Sequence, residues 1–401
     1  MEIILWMTVF TVFAAFSVYS RFHAEQGWLE RLSYCLSLFL ATMALVYGSE
    51  SAWKEGRIGA AGFVAICILL GTFQWAWYNV EAKRVLNDTS TWRGREAAFT
   101  TIVFLGAGTL LCLSSFLKGG AEISDWSISW RSGVVVPLIL TGAINIVIML
   151  SIAKANSLEN LMLVAPIETS TPAPVIFFGI LILGERPLVW GWLGIIVLAV
   201  STYSLGIVDL WESLAFADAE GRIATLEKIV GGSRGTVRFW FLLWFAPLIS
   251  LFLSRGARWA AGAAFLGLIS SNFDALVFRN ANIGFAQGVI WFIVAGGNYA
   301  IARKRKEFEG LDLAKALRAL ELPIALMACL CLCVDIPYRA ALMSHVASLK
   351  RLAVPFTMIG AYYVLGERKN WRGRVVSGLL MTSGVVLIGI DIVMRKQMPV
   401  H

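Results

Sequence analysis

Charge is scarce in this chain. Only 15% of its 401 residues are Asp, Glu, Lys or Arg, against 58% hydrophobic residues, and mean hydropathy is +0.73. A soluble domain carries roughly a quarter charged residues, so a soluble globular fold is excluded. Histidine is nearly missing: His23, His345 and His401 are the three. No Walker-type loop, no HExxH and no histidine–acid constellation occurs. Nucleotide-driven and common hydrolytic chemistries therefore lack their residues, and the chain is read as a non-enzyme with no cofactor and no metal. The six cysteines (Cys35, Cys67, Cys112, Cys329, Cys331 and Cys333) all lie in apolar runs without metal-ligand company. "CLCLC" at 329–333 reads as small apolar packing residues of a helix. The first apolar run, 2–20, has no basic n-region and no clear cleavage site, so it reads as a retained span. Dyad alternation is absent, which argues against a β-barrel.

What is present is one apolar run after another. A helix needs about 20 apolar residues to cross a bilayer core of roughly 30 Å, and runs of that order recur along most of the chain. The expected fold is all-α and polytopic. Lys and Arg cluster in short connections, as in cytoplasmic loops of membrane proteins, so the formal charge of +8 is not read as a nucleic-acid footprint. Two stretches are not spans. Residues 209–235 are charged and end glycine-rich, and 303–321 are basic and then helix-like.

A repeat is visible. "LILGERPLVWGWLGIIVLAVSTYSLGI" (181–207) parallels "YVLGERKNWRGRVVSGLLMTSGVVLIGI" (363–390). Each is an apolar span, then Leu-Gly-Glu-Arg, then a glycine-bearing apolar span, and Gly184 and Gly366 suit the left-handed end of a helix. Counting back from each motif gives two units of five spans. The first, 58–208, holds 58–80, 97–117, 134–154, 160–183 and 189–208. The second holds 259–279, 283–302, 320–342, 345–366 and 371–394. The resulting division is 1–57 as an extra N-terminal pair (2–20 and 32–48), 58–208 as the first repeat, 209–258 as a connector, and 259–401 as the second repeat. The connector carries a further apolar segment, 237–254, either interfacial or a full crossing, so the total is 12 or 13 crossings. Loop charge places 82–96, 303–319 and 367–374 on the inner side if the repeats are inverted.

"APIETSTPAPVIFFGILILGERPLVWGWLGIIVLAV" and "SLKRLAVPFTMIGAYYVLGER" resemble the end of each repeat in the drug/metabolite transporter superfamily, EamA type. Pro172 or Pro174, and Pro355, fit the fourth-span proline of that family. The resemblance implies a ten-helix core of two inverted five-helix repeats around a cavity that alternates its access. The segment around Lys350 and Arg351 is also similar to the Lys-Arg segment of plastid phosphate translocators, where such a pair holds substrate phosphate.

Charges inside spans are functional hypotheses, because each costs roughly 2.5–3.5 kcal/mol at the bilayer centre on insertion scales. They are Glu81, Glu168, Asp274, Asp335, Lys350 and Arg351. Lys350 and Arg351 read either as snorkelling interfacial cations or as an anion clamp, a point charge beside a planar fork. Glu168 stands as far before Glu185 as Lys350 stands before Glu367. It reads as a proton-accepting carboxylate, a counter-ion for Lys350, or a structural hydrogen-bonding group. Asp274 lies in a polar stretch, "LISSNFDALVFR", comparable to "LLGTFQWAWYNVEAKR" with Trp75, Tyr78 and Asn79. Trp75 and Tyr78 share a helix face and read as a stacking surface for substrate or as ordinary aromatic packing. Asp335 and Arg339 are spaced to pair with each other, and Gly296, Gly297 and Asn298 to allow close helix approach.

The expected function is secondary transport or exchange of a small polar or anionic metabolite, or a lipid-linked phosphate head group, by alternating access. Lys350, Arg351, Glu168, Asp274, Trp75, Tyr78 and Asn79 are the candidate substrate contacts, with Glu168 or Asp274 taking a coupling proton. Expected partners are the solute, protons, the lipid bilayer and a second copy in a homodimer, and the expected location is a bacterial inner membrane. The alternative is a non-transporting subunit of an envelope-assembly complex, with its charges mutually paired and its cavity filled.

Overall fold

The structure is a computed structural model and describes residues 28–88, 90–119, 132–168, 188–215, 255–340, 346, 349–367 and 371–396. The expected span 2–20, the segment 237–254, Pro172, Pro174, Gly184 and Glu185 lie outside these residues. Among the described residues all regular structure is helical. In a bilayer this is the way an unbroken chain satisfies its own backbone polar groups.

In chain order the helices are α1 (Trp28–Lys54), α2 (Ala60–Leu86), α3 (Glu96–Gly119), α4 (Ser132–Leu158), α5 (Leu161–Glu168) and α6 (Val189–Ala215). They continue with α7 (Arg255–Asn280), α8 (Ile283–Lys304) and α9 (Leu313–Asp335), which a 3-10 turn extends over Ile336–Arg339. A 3-10 turn at Lys350–Leu352 leads into α10 (Ala353–Tyr363), and α11 is Trp371–Lys396. Among the described residues, seven helices are long and apolar enough to cross a membrane: α1 to α4 and α7 to α9. The chain is a multi-pass membrane protein.

The helices exchange partners between the two halves of the sequence. α4 packs along α7, and α2 along α9. α3 packs against α8, α6 against α11, α5 against α7, and α10 against α2. α1 lies outside this pattern and rests on α9 and α2. The α3–α8 crossing is close enough that a Cβ on Gly288 would meet the Gly108 carbonyl oxygen at 3.0 Å, which only glycine allows without moving backbone. α9 sits at the centre. Every residue from Ala325 to Asp335 is buried, the three cysteines of "CLCLC" among them, as a helix apolar all round requires.

Hydrogen bonds gather the connections at two ends. At one end Arg95 donates to the Glu309 carbonyl (2.9 Å), and the Ala98 N–H donates to Glu307 (2.9 Å). Lys83 donates to the carbonyls of Asn156 and Glu159 (2.6 Å each). Glu367 accepts from the Leu161 N–H (3.0 Å), so the glutamate of the second Gly-Glu-Arg caps α5 in the other half. This end carries Arg84, Arg93, Arg303, Lys304, Arg305, Lys306 and Lys315 as well, and is called the basic end below. At the opposite end Arg339 ties α9 to α1 and α7.

Candidate functional site

A cavity of about 210 Å³ lies where α2, α4, α7, α8 and α9 converge beside the Lys350 turn. Each element brings its polar group by helical spacing. Ser270 and Asp274 are one turn apart on α7, and α4 presents Thr141 and Asn145 to them at the same spacing. The Thr141 hydroxyl donates to Asp274 Oδ1 and lies 2.6 Å from the Ser270 hydroxyl. Asn145 donates to Ser270 (2.9 Å). Asp274 is thereby fixed by the α4–α7 contact.

Lys350 enters from the other side. Its Nζ donates to the Tyr338 hydroxyl (3.1 Å) and stands 5.0 Å from the Tyr338 ring centroid. Asp335 Oδ1 is 4.0 Å away, and the Lys350 side chain keeps 33% of its surface exposed. That distance is the outer limit of an ion pair, so the ammonium has room to meet a solute. Asp335 itself is buried on α9. With Asp274, Asp335 and Lys350 ionised, the cavity holds two negative charges and one positive.

Neutral groups complete the wall. The Trp291 indole N–H donates to Cys331 Sγ (3.1 Å). Gln287 points its amide nitrogen at the same sulfur (3.8 Å), and its buried carbonyl oxygen has no hydrogen-bond partner. Among the described residues no group of three His, Cys, Asp or Glu gathers as a metal site would require.

The structure brings Lys350, Asp274 and Trp75 to one cavity wall. Tyr78 is buried and packs against Trp75, ring centroids 6.2 Å apart, without reaching that wall. Asn79 is fully buried, and neither of its side-chain polar atoms has a hydrogen-bond partner. Glu168 is the last residue of α5 and Arg351 the middle of the 3-10 turn; their side chains lie outside those described. The expected pairing of Asp335 with Arg339 does not form. α9 ends at Asp335 and tightens at Pro337 into a 3-10 turn, which breaks the i, i+4 register. Asp335 faces Lys350 instead, while Arg339 donates to Glu50 (2.9 Å) and to the Ala281 carbonyl (2.8 Å). Thr141, Asn145, Gln287, Trp291 and Tyr338 were not anticipated. Their sequence signal is a single polar group in an otherwise apolar span, as in "GAINIVIML" and "GFAQGVIW".

Comparison with known proteins finds a family model and similar solved structures. Residues 62–207, which run through α2 to α6, match the model of the EamA-like transporter family. A solved structure titled only "Crystal structure of protein" is similar over 84% of this chain and 99% of its own, with a TM-score of 0.50 and 15% identity. At that identity the likeness shows the fold alone. No curated protein matches the chain.

Proposed function

We propose, from the match of residues 62–207 to the model of the EamA-like transporter family, that the chain is a secondary transporter for a small polar solute bearing an anionic group. The observation that carries this reading is the cavity itself. It is walled by two aspartates, one lysine and a glutamine among apolar residues, and it lies where helices of 58–208 meet helices of 259–394. The exchange of partners, α4 with α7 as α2 with α9, supports the division into two five-helix repeats that rock about this site. Lys350 receives the anion, with Arg351 beside it. An anion entering a cavity that is already net negative raises its electrostatic cost, and a proton on Asp274 or Asp335 offsets that cost. Transport is therefore coupled to proton uptake. Glu168, at the end of α5, is the further carboxylate to test. With no nucleotide motif in the sequence, a solute or proton gradient drives the cycle.

The test is thermal stability of the purified protein against phosphorylated and carboxylated metabolites, beside the Lys350→Ala/Arg351→Ala double variant. A ligand at one hundred times its Kd adds about 2.7 kcal/mol of stability. We expect at least one anion to shift wild type and not the variant. An anion that shifts both equally removes the clamp from the mechanism. The second reading is a non-transporting subunit, favoured by the Lys350–Asp335 pairing and by α1, which docks on the core outside the exchange pattern. Uptake into proteoliposomes by wild type, lost in the variant, excludes it.

A further inference from the structure

A second cavity, of about 240 Å³, lies at the basic end between α1, α2 and the start of α9. Its charged lining is Arg31, Arg84, Arg318, Glu81, Asp88 and Glu321, three cations and three carboxylates. This wall is incompletely satisfied. Glu81 is 5% exposed; its Oε2 lies 3.6 Å from Arg84, but its Oε1 has no hydrogen-bond partner. Both carboxylate oxygens of Glu321 and the Nε of Arg31 are buried and equally unpartnered. Asp88 is spent locally, accepting from the Ser90 N–H and hydroxyl. Buried charged oxygens without donors are costly, and the two glutamates that carry these three both belong to the cavity lining. The deficit is specific: the glutamate oxygens lack N–H donors, and the Arg31 Nε lacks an acceptor.

The surroundings are exposed and apolar. Trp28, 5.9 Å beneath the Arg318 guanidinium, is a ring of the type that anchors at the headgroup level. Leu29, Leu32 and Leu36 of α1 and Leu313 and Leu317 of α9 are exposed along the rims. The positive-inside rule makes this the cytoplasmic leaflet.

We propose that the cavity between α1, α2 and α9 binds the headgroup of an aminophospholipid, a primary ammonium joined to a phosphodiester. The ammonium donates to Glu81 Oε1 and Glu321, the phosphate lies on Arg31, Arg84 and Arg318, and the acyl chains follow the exposed leucines. A wall of balanced charge suits a zwitterion. A quaternary amine has no N–H to give the glutamates, and an anionic headgroup brings them no positive charge. The extra helix α1 supplies Arg31 and Trp28, so the site exists only where that helix docks on the transporter core. It stands apart from the central cavity and does not depend on the transport reading.

The test uses the full chain in detergent, equilibrated with an equimolar mixture of phosphatidylethanolamine, phosphatidylcholine and phosphatidylglycerol of matched acyl chains, with retained lipid read by native mass spectrometry. We expect phosphatidylethanolamine to be retained about tenfold over the other two, the ratio that one lost charge-assisted hydrogen bond commands. That preference should fall to parity in Glu321→Gln and in Glu81→Gln, with elution profile and helical circular dichroism unchanged. If one of these variants fails to fold, the other reports in its place, and Arg31→Gln should lower retention of all three lipids, whose phosphodiester it meets. No preference in wild type, a preference untouched by the glutamine substitutions, or total retention unchanged in Arg31→Gln overturns the proposal. Displacement of the lipid by an equal concentration of soluble O-phosphoethanolamine overturns the lipid source.

Discussion

Lys350 shares its charge between a phenol and a distant carboxylate, and Asp274 shares its own with a threonine–serine–asparagine cluster. Neither charge is cancelled. If Asp274 is a coupling carboxylate, Asp274→Asn should keep solute exchange but flatten the dependence of net uptake on an imposed pH gradient; proteoliposome uptake with and without the gradient measures this. A structural role alone would lower both rates together. Away from the cavity, Glu307 is a buried carboxylate in the turn after α8, accepting from Ala98 at the start of α3. Burial pushes its carboxyl up from the ordinary value, against the pull of the Ala98 and Ala97 N–H groups. The folded state therefore holds that proton more tightly than the unfolded chain. Stability from this group is fully present below the ordinary glutamate value of about 4.3 and declines as pH rises through the folded value. Glu307→Gln should remove that decline, as thermal unfolding across pH would register.

At the scale of the element, capping explains a motif that the sequence shows only as a repeat. Gly366 takes a left-handed φ of 70°, as its place after an apolar run implied, and the chain turns so that Glu367 reaches the first N–H of α5. Glu367→Ala should cost about 1 kcal/mol, the usual price of a lost N-cap, with Glu367→Gln recovering part of it; thermal unfolding in detergent separates the three. Most helix positions and the close approach at Gly297, whose added Cβ would strike Ile146, were legible because apolar runs and small residues report burial directly; the expected span 345–366 instead holds a 3-10 turn and the short α10, and α9 begins at Leu313, ahead of the expected 320. The site was half legible. Asp274 and Lys350 announced themselves as charges in apolar runs. Asn145 and Gln287 did not, because a single uncharged polar residue reveals nothing about which helix face the assembly turns inward. Arg339 was misassigned because its spacing from Asp335 assumes a helix that Pro337 ends.

On the scale of the whole molecule, the hydrogen bonds at the two ends fix which connections share a side. Ser90→Cys and Lys306→Cys should react with a membrane-impermeant maleimide from one face of the bilayer, and Arg57→Cys from the other, in sealed vesicles of known orientation. Labelling of Ser90→Cys and Lys306→Cys from opposite faces would break the arrangement of α2, α3, α8 and α9 described above.

The exchange of partners also governs how the protein can be made. α2 inserts early, but the helix it lies along, α9, emerges more than half a chain later, and α3 and α4 wait likewise for α8 and α7. Contacts so distant in sequence cannot form as synthesis proceeds. The first half must stay in the bilayer with its inner faces unmatched until the second arrives. A ribosome that stops between the halves therefore releases a chain whose polar inner surfaces meet lipid, an orphan for membrane quality control rather than a smaller transporter.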